Sequence, residues 1–238
     1  MIIIKRFFIL FIFYNLFINC QSSQQVSYDI NVSSIGDSVN TKKYILIPGN
    51  KDIPIDDLQF KEYATYLNRA LKLYEFVPVS SFNEADIGII FYYGIDDPKS
   101  NQYSYNVPTW GQTGVSSSKT YGTVNSYGNY SSNTYNTPSY GITGSTTRYD
   151  TYTTYRRFMK IDAIDMREYL KSNKIVSIWN TSVTSIGSSG DLRLILPIMV
   201  VGSMPYLGKN SGKLIELSIS EGDQRIDVIK GIQKTKNE

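Results

Sequence analysis

The chain has 238 residues, no histidine, one cysteine and a formal net charge of +3. Without histidine there is no Ser-His-Asp or Cys-His catalysis, no imidazole general base and little basis for a zinc or copper site; one cysteine closes no internal disulfide. Lysine and arginine barely outnumber the acids, 24 against 21, so the clustered basic face that nucleic-acid binding needs is not expected.

The N-terminal segment MIIIKRFFILFIFYNLFINC has the three parts of an export signal: Met1 with Lys5 and Arg6, an apolar run from Phe7 to Ile18, and a break at Asn19-Cys20-Gln21. The run is shorter than the roughly 20 residues that cross a bilayer, so cleavage is expected after residue 19. Ending on Cys20 resembles a bacterial lipoprotein signal, in which the thiol is acylated and becomes the anchored N-terminus; two or three acyl chains hold a protein firmly where one is marginal. Asn19 stands where Gly, Ala or Ser is usual and Phe17 where Leu is usual. The other reading is an ordinary secretory signal that leaves Cys20 a free thiol. The expectation is a signal peptide over 1–19, a tether over 20–25 carrying the lipidation site Cys20, and export to the cell envelope, at the outer membrane facing the periplasm. Loss of Lys5 and Arg6 takes the charge from +3 to +1.

Residues 26–230 read as a single domain, followed by a flexible tail over 231–238. Val26 to Val32 alternates apolar and polar residues as a half-buried strand does, and Lys43-Tyr-Ile-Leu-Ile47 is a second strand closed by Pro48-Gly49. Phe60, Tyr63, Ala64, Leu67, Leu71 and Tyr74 recur at helical spacing, with Asp56 and Asp57 near the start. Phe76-Val77-Pro78-Val79 is a short edge strand, and Ile87 to Tyr93, apolar throughout, is a central one.

The composition then changes. Between Ser100 and Thr147 the only charged residue is Lys119, and half of the chain's 20 tyrosines lie between Tyr103 and Tyr155. Tyrosine and threonine favour strands while the interspersed glycines weaken packing, so residues 100–150 read as a low-complexity insert, part extended hairpin and part mobile loop.

Order returns with a strand through Tyr155, Met159, Ile161 and Ala163 and a partner from Ile175 to Val183. Gly187 to Asp191 offers Ser188 or Ser189 as cap for a second helix, apolar from Leu194 to Leu207, in which Asp191 and Arg193 are the early charges. Leu214 to Ile219 alternates as a strand and turns back on Ile226-Asp-Val228. The fold class is α+β: an antiparallel or mixed sheet with two helices on one face and a long Tyr/Ser/Gly-rich inserted hairpin or loop.

Chemistry-bearing motifs are few. Gly208 to Lys213 has the wrong glycine spacing for a phosphate loop and precedes a strand, and Gly187-Ser-Ser-Gly190 lacks the spacing of a nucleophile elbow. Asp96 and Asp97 follow the central strand, and Asp162 and Asp165 flank another strand end. Paired carboxylates hydrolyse glycosides without histidine, which keeps one enzymatic reading open: a carboxylate-dependent envelope enzyme acting on glycan.

Three segments carry a family likeness: Ala85 to Pro98 followed by Val107 to Gly114, Ile178 to Arg193, and Pro205 to Gly212. They resemble the uncharacterised Gram-negative envelope lipoproteins built on domain of unknown function 4136, over roughly Tyr44 to Ile229. The resemblance implies export and an α+β domain, and supplies no catalytic residue.

The leading functional expectation is a lipid-anchored binding or scaffolding module with no cofactor and no metal, held at the membrane through N-terminal acyl chains. Its candidate recognition surface is Trp110, Tyr121, Tyr127, Tyr130, Tyr135 and Tyr140, whose rings suit an envelope protein or a glycan, since each joins an apolar face to a polar tip. Packing of those rings on their own hairpin is the competing role. Ser189, Asp191 and Arg193 form a candidate structural motif in which Arg193 must reach solvent or a carboxylate.

Overall fold

A computed structural model describes residues 26–36 and 42–232. The leader, Cys20, the tether and the tail beyond residue 232 lie outside the described residues. The chain divides into two compact units, one running to Asp97 and resuming at Tyr155, the other spanning Pro98–Thr154.

The first unit begins with β1 (Ser27–Gly36), β2 (Lys43–Pro48), α1 (Leu58–Leu73), β3 (Val77–Pro78) and β4 (Ile87–Ile95). It resumes in the last third of β6 (Tyr130–Asp165) and continues through α2 (Met166–Ser172), β7 (Ser177–Gly187), α3 (Leu192–Ser203), β8 (Ile215–Ser220) and α4 (Gln224–Lys230). The strands lie in the order β3-β2-β4-β6-β7-β1-β8. β2 runs parallel to β3 and β4, and the remaining neighbours are antiparallel. This is an open, mostly antiparallel sheet with helices.

Alternation decides which face of the sheet is buried. Ile30 and Val32, Ile87, Ile89 and Phe91, Met159 and Ile161, and Trp179 and Val183 point to one side and are at most 1% exposed. α1 lays Phe60, Tyr63, Leu67 and Leu71 on them. The Asp57 carboxylate starts that helix by accepting the Phe60 N–H at 2.7 Å. Leu67 and Leu71 are fully buried, and each contributes roughly 1.5–3 kcal/mol by leaving water. α3 is apolar nearly all round because it touches the sheet on one side and α1 and α4 on others. Gly202 allows its close approach: a Cβ there would stand 3.3 Å from Ile219 and 3.4 Å from Ile30.

Two elements differ from the sequence pattern. Three helices, α1, α3 and α4, cover the core face, not two, and the short α2 packs on the opposite face, where Met166 meets Ile45 and Ala85. The segment Ile226 to Val228 is part of α4 and not a strand. Asp223 caps it through the Arg225 N–H, Gly231 ends it at φ +74°, and Ile226 and Ile229 face the core three residues apart. Local capping overrides a two-residue alternation. Among the described residues no helix is long and apolar enough to cross a membrane.

The second unit is a β-hairpin of β5 (Lys99–Val124) with the first part of β6. Strand pairing holds from Lys99 opposite Thr154 to Val124 opposite Tyr130, so the loop portion expected from the composition is also extended ladder. At about 3.3 Å per residue the paired strands run on the order of 80 Å.

Candidate recognition surface on the hairpin

A long ribbon built from Ser, Thr, Tyr, Gly and Asn has no core of its own, and an isolated two-stranded hairpin is marginal in water. Cross-strand pairs and the turn therefore carry it. At the tip Asn125 closes the turn: its N–H donates to the Asn129 carbonyl at 3.0 Å, and its side-chain oxygen accepts from the Tyr127 and Asn129 N–H groups at 3.1 and 3.0 Å. Gly128 supplies the left-handed conformation at φ +81°. Hydroxyl and amide pairs then climb the ribbon, with Thr120 against Thr134 at 2.9 Å and Ser118 donating to Asn136 at 2.7 Å. Each such pair contributes roughly 0.2–1 kcal/mol. The Tyr130 ring lies over Gly122, where a Cβ would come within 2.3 Å of its hydroxyl, so an aromatic covers the gap that glycine leaves.

Three register shifts interrupt the ladder, leaving Thr113 and Ser116 extra on β5 and Thr143 extra on β6. Each extra residue turns its hydroxyl to a carbonyl across the ribbon: Thr113 to Ser139 at 3.3 Å, Ser116 to Thr137 at 3.1 Å and Thr143 to Thr109 at 3.3 Å. Each bulge also reverses which face the following side chains take.

That reversal divides the six candidate aromatics. Trp110 pairs with Ile142 and Gln112 with Tyr140, which puts Trp110, Ile142 and Tyr140 side by side between two bulges. They are 70%, 61% and 70% exposed. Counting rungs through the bulges puts Tyr130 on that same face, nearer the tip. Tyr121 and Tyr135 fall on the other face, with ring centroids 6.0 Å apart. With Lys119 and Asn133 they line an open groove of about 670 Å³. Tyr127 stands alone in the turn, 89% exposed. The six are all exposed, but they form two separate clusters and a tip rather than one surface.

Further tyrosines, outside the candidate set, form a third cluster at the other end of the ribbon. The Tyr103 ring lies 5.9 Å from Tyr105 and 6.0 Å from Tyr152. The Asp150 carboxylate beside it raises the Tyr103 phenol pKa. Alternation at Tyr103 and Tyr105 was the available signal; their cross-strand partner was not readable without the register.

In the first unit the expected cap is displaced. Asp191, not Ser189 or Ser188, caps α3, accepting the Arg193 and Leu194 N–H groups at 2.9 and 3.4 Å. Ser189 instead accepts the Asp191 N–H through its hydroxyl at 3.2 Å and gives its carbonyl to Arg157 at 2.8 Å. A carboxylate accepts more strongly than a hydroxyl and sits at the position adjoining the first turn. Arg193 reaches a carboxylate: its Nε donates to Glu62 at 2.8 Å, and the Tyr66 hydroxyl donates to the same oxygen at 2.5 Å. Those two donors, Tyr66 first, lower the Glu62 pKa, and burial together with that carboxylate pushes Tyr66 up to about 12.

Arg157 is a residue the sequence pattern hides among strand positions. It is 1% exposed and donates to the Ser189 carbonyl and the Ser185 hydroxyl, both at 2.8 Å, while its Nε has no partner among the described residues. No carboxylate lies within ion-pair distance of it among those residues.

The candidate acids are not gathered. Asp96 pairs with Arg156 at 3.3 Å; Asp162 pairs with Lys160 at 2.6 Å and accepts from Asn180; Asp165 caps α2 through the Glu168 N–H at 3.0 Å. Ile90 lies opposite Asp162 and Ile95 opposite Arg157, which separates Asp96 from Asp162 by about 20 Å of strand. Glycosidase pairs stand at roughly 5–9.5 Å. Among the described residues no three Cys, Asp or Glu side chains are placed to hold a metal ion. The loop after α3 is a structural turn: Ser211 accepts the Ser34 N–H at 3.0 Å and donates to the Ser34 carbonyl at 3.1 Å.

No protein-family model and no curated protein matches the chain. Among solved structures it is similar to a PDZ domain protein from Parabacteroides distasonis ATCC 8503, at 11% identity and TM-score 0.38 over 82% of this chain and 40% of that one. A second similarity is to the lysenin pore, at 6% identity and TM-score 0.10 over 83% of this chain and 49% of that one. The chain spans less than half the length of each, and at these TM-scores neither shows a shared fold.

Proposed function

We propose that this protein is a lipid-anchored envelope protein that works as a binding or scaffolding module, with the hairpin as its recognition element. The observation that carries the reading is the cluster of Trp110, Ile142 and Tyr140, three large side chains at 61–70% exposure on a ribbon with no core beneath them. All three face solvent and stand together, so one partner can cover them at once. Trp and Tyr are the residues that dominate recognition surfaces, because each buries a rigid apolar face while its polar tip keeps a hydrogen bond. The near-absence of charge from Ser100 to Thr147 assigns the affinity to apolar contact and hydrogen bonding rather than to electrostatic attraction. An envelope protein or a glycan satisfies that chemistry. Anchoring rests on Cys20 at the leader's end, which resembles a lipoprotein signal.

The test is crosslinking and pull-down from intact envelopes with the full chain and with Trp110→Ala and Tyr140→Ala. Loss of a central aromatic contact costs about 2 kcal/mol or more, a fall in affinity of roughly 30-fold. Capture of the same partner at unchanged yield by the double variant overturns the assignment of this cluster.

A further inference from the structure

The two units treat their sheet edges in opposite ways. In the first unit the edges are β3, two residues long and ending on Pro78, and β8, six residues long. The brevity and the proline of β3 are usual means of stopping one sheet from pairing with another, while β8 is of ordinary strand length. In the hairpin the edges are the 26 residues of β5 and the stretch of β6 from Tyr130 to Thr154, and among the described residues neither of these stretches pairs with anything but the other.

Near the tip those edges are clean. From Ser117 opposite Thr137 to Val124 opposite Tyr130 the ladder has no bulge, no proline and one charge, Lys119. Pro108, Pro138 and all three bulges lie outside this stretch. Antiparallel residues alternate between pointing their backbone groups at the partner strand and away from it. Counting from the Asn125 N–H bonded to Asn129, the groups of Ser118, Thr120 and Gly122 on β5 and of Ser132, Thr134 and Asn136 on β6 point outward. Eight rungs exceed the usual length of a strand, about 5–6 residues.

We infer that a second copy of this chain pairs with the tip of the hairpin edge to edge, the β5 edge of one copy against the β6 edge of the next. A copy of this chain fits for two reasons. It brings an antiparallel edge of equal length, free of bulge and proline over the same rungs. It also brings the same near-neutral side chains, so that no block of like charge opposes the approach, whereas a charged partner would find no complementary charge here beyond Lys119. The contact is head-to-tail, so it propagates from copy to copy until a ring closes. It uses the backbone edges of the ribbon and not its aromatic clusters, and it holds independently of the binding function proposed for Trp110 and Tyr140.

The experiment measures the mass of the full-length protein in detergent across a concentration series, together with amide hydrogen exchange. The expected result is self-association with slowed exchange at the outward N–H groups of Thr120 and Ser132. Thr120→Pro removes one outward donor from β5 and Ser132→Pro one from β6, neither touching a backbone bond of the hairpin's own ladder; Thr120→Pro also removes the Thr120–Thr134 hydroxyl pair, for which Thr120→Ala is the control. Each variant alone should be monomeric, and a mixture of the two should form a heterodimer, since each retains the edge the other has lost. A wild-type chain that stays monomeric with freely exchanging outward amides overturns the inference without any variant. Association of Ser132→Pro with itself, a mixture that stays monomeric, or association surviving both substitutions overturns the head-to-tail edge contact as well.

Discussion

Replacing Arg157 by methionine should leave the stability of the first unit within about 1 kcal/mol of the wild type, whereas replacing it by alanine should cost about 2–5 kcal/mol. The guanidinium is 1% exposed and makes two hydrogen bonds at 2.8 Å, to the Ser189 carbonyl and the Ser185 hydroxyl, with no ion pair among the described residues. Burial lowers its pKa, but a guanidinium keeps its proton in proteins. Each bond to a charged group contributes roughly 1.5–3 kcal/mol. Against them stands the desolvation of an unpaired cation, several kcal/mol. Methionine removes both sides of that balance and fills most of the volume; Ser185 keeps its other bond, to the Asp29 carbonyl at 2.8 Å. Alanine removes the same bonds and leaves a cavity. Urea unfolding of the two variants, followed by tryptophan fluorescence, decides it. Methionine as costly as alanine would refute the reasoning, because the charge itself would then be needed.

The cap assignment predicts that Asp191→Ala lowers stability by about 0.5–2 kcal/mol while Ser189→Ala costs less, read from urea midpoints. Glu62 has a pKa lowered by Tyr66 and Arg193, so its contribution is complete above the ordinary glutamate value and is lost as pH falls through the lower folded value; Glu62→Gln should flatten that part of the stability–pH profile, and an unchanged profile would contradict the pairing. Glu75 ends α1 at φ +66°. There Glu75→Gly relieves roughly 1 kcal/mol of backbone cost against the surface pair with Lys42 at 2.8 Å, so thermal unfolding should show no loss of stability. Cys20→Ser should abolish labelling by a clickable fatty acid and release the protein from the membrane; retained labelling in that variant would contradict acylation at Cys20.

What could be read in the sequence follows from how local the deciding interactions are. α1 was legible because Phe60, Tyr63, Ala64, Leu67 and Leu71 repeat over about three turns and all face the core. α2 was announced only by Asp165 and Glu168 three residues apart, a capping pattern over seven residues that strand-like neighbours obscured. α4 was misread because Ile226 and Val228 alternate, and the deciding signals were Asp223 before them and Gly231 after. The hairpin was visible in composition, but its site was not. Three single-residue bulges determine which tyrosines share a face, and nothing in the local sequence distinguishes Thr113, Ser116 or Thr143 from the threonines and serines around them. Arg157 falls among alternating strand residues, and its burial depends on Ser185 and Ser189, about thirty residues away in sequence.

The most direct test of the central claim, that the hairpin recognises and the sheet unit supports, replaces residues 98–154 by a short Gly-Ser linker and measures partner capture from intact envelopes alongside thermal unfolding. The first unit contains the buried core, so the shortened chain should unfold in one cooperative transition and capture nothing. A shortened chain that fails to fold would make the hairpin structural, and one that folds and still captures the partner would move recognition to the sheet unit; either result contradicts the account.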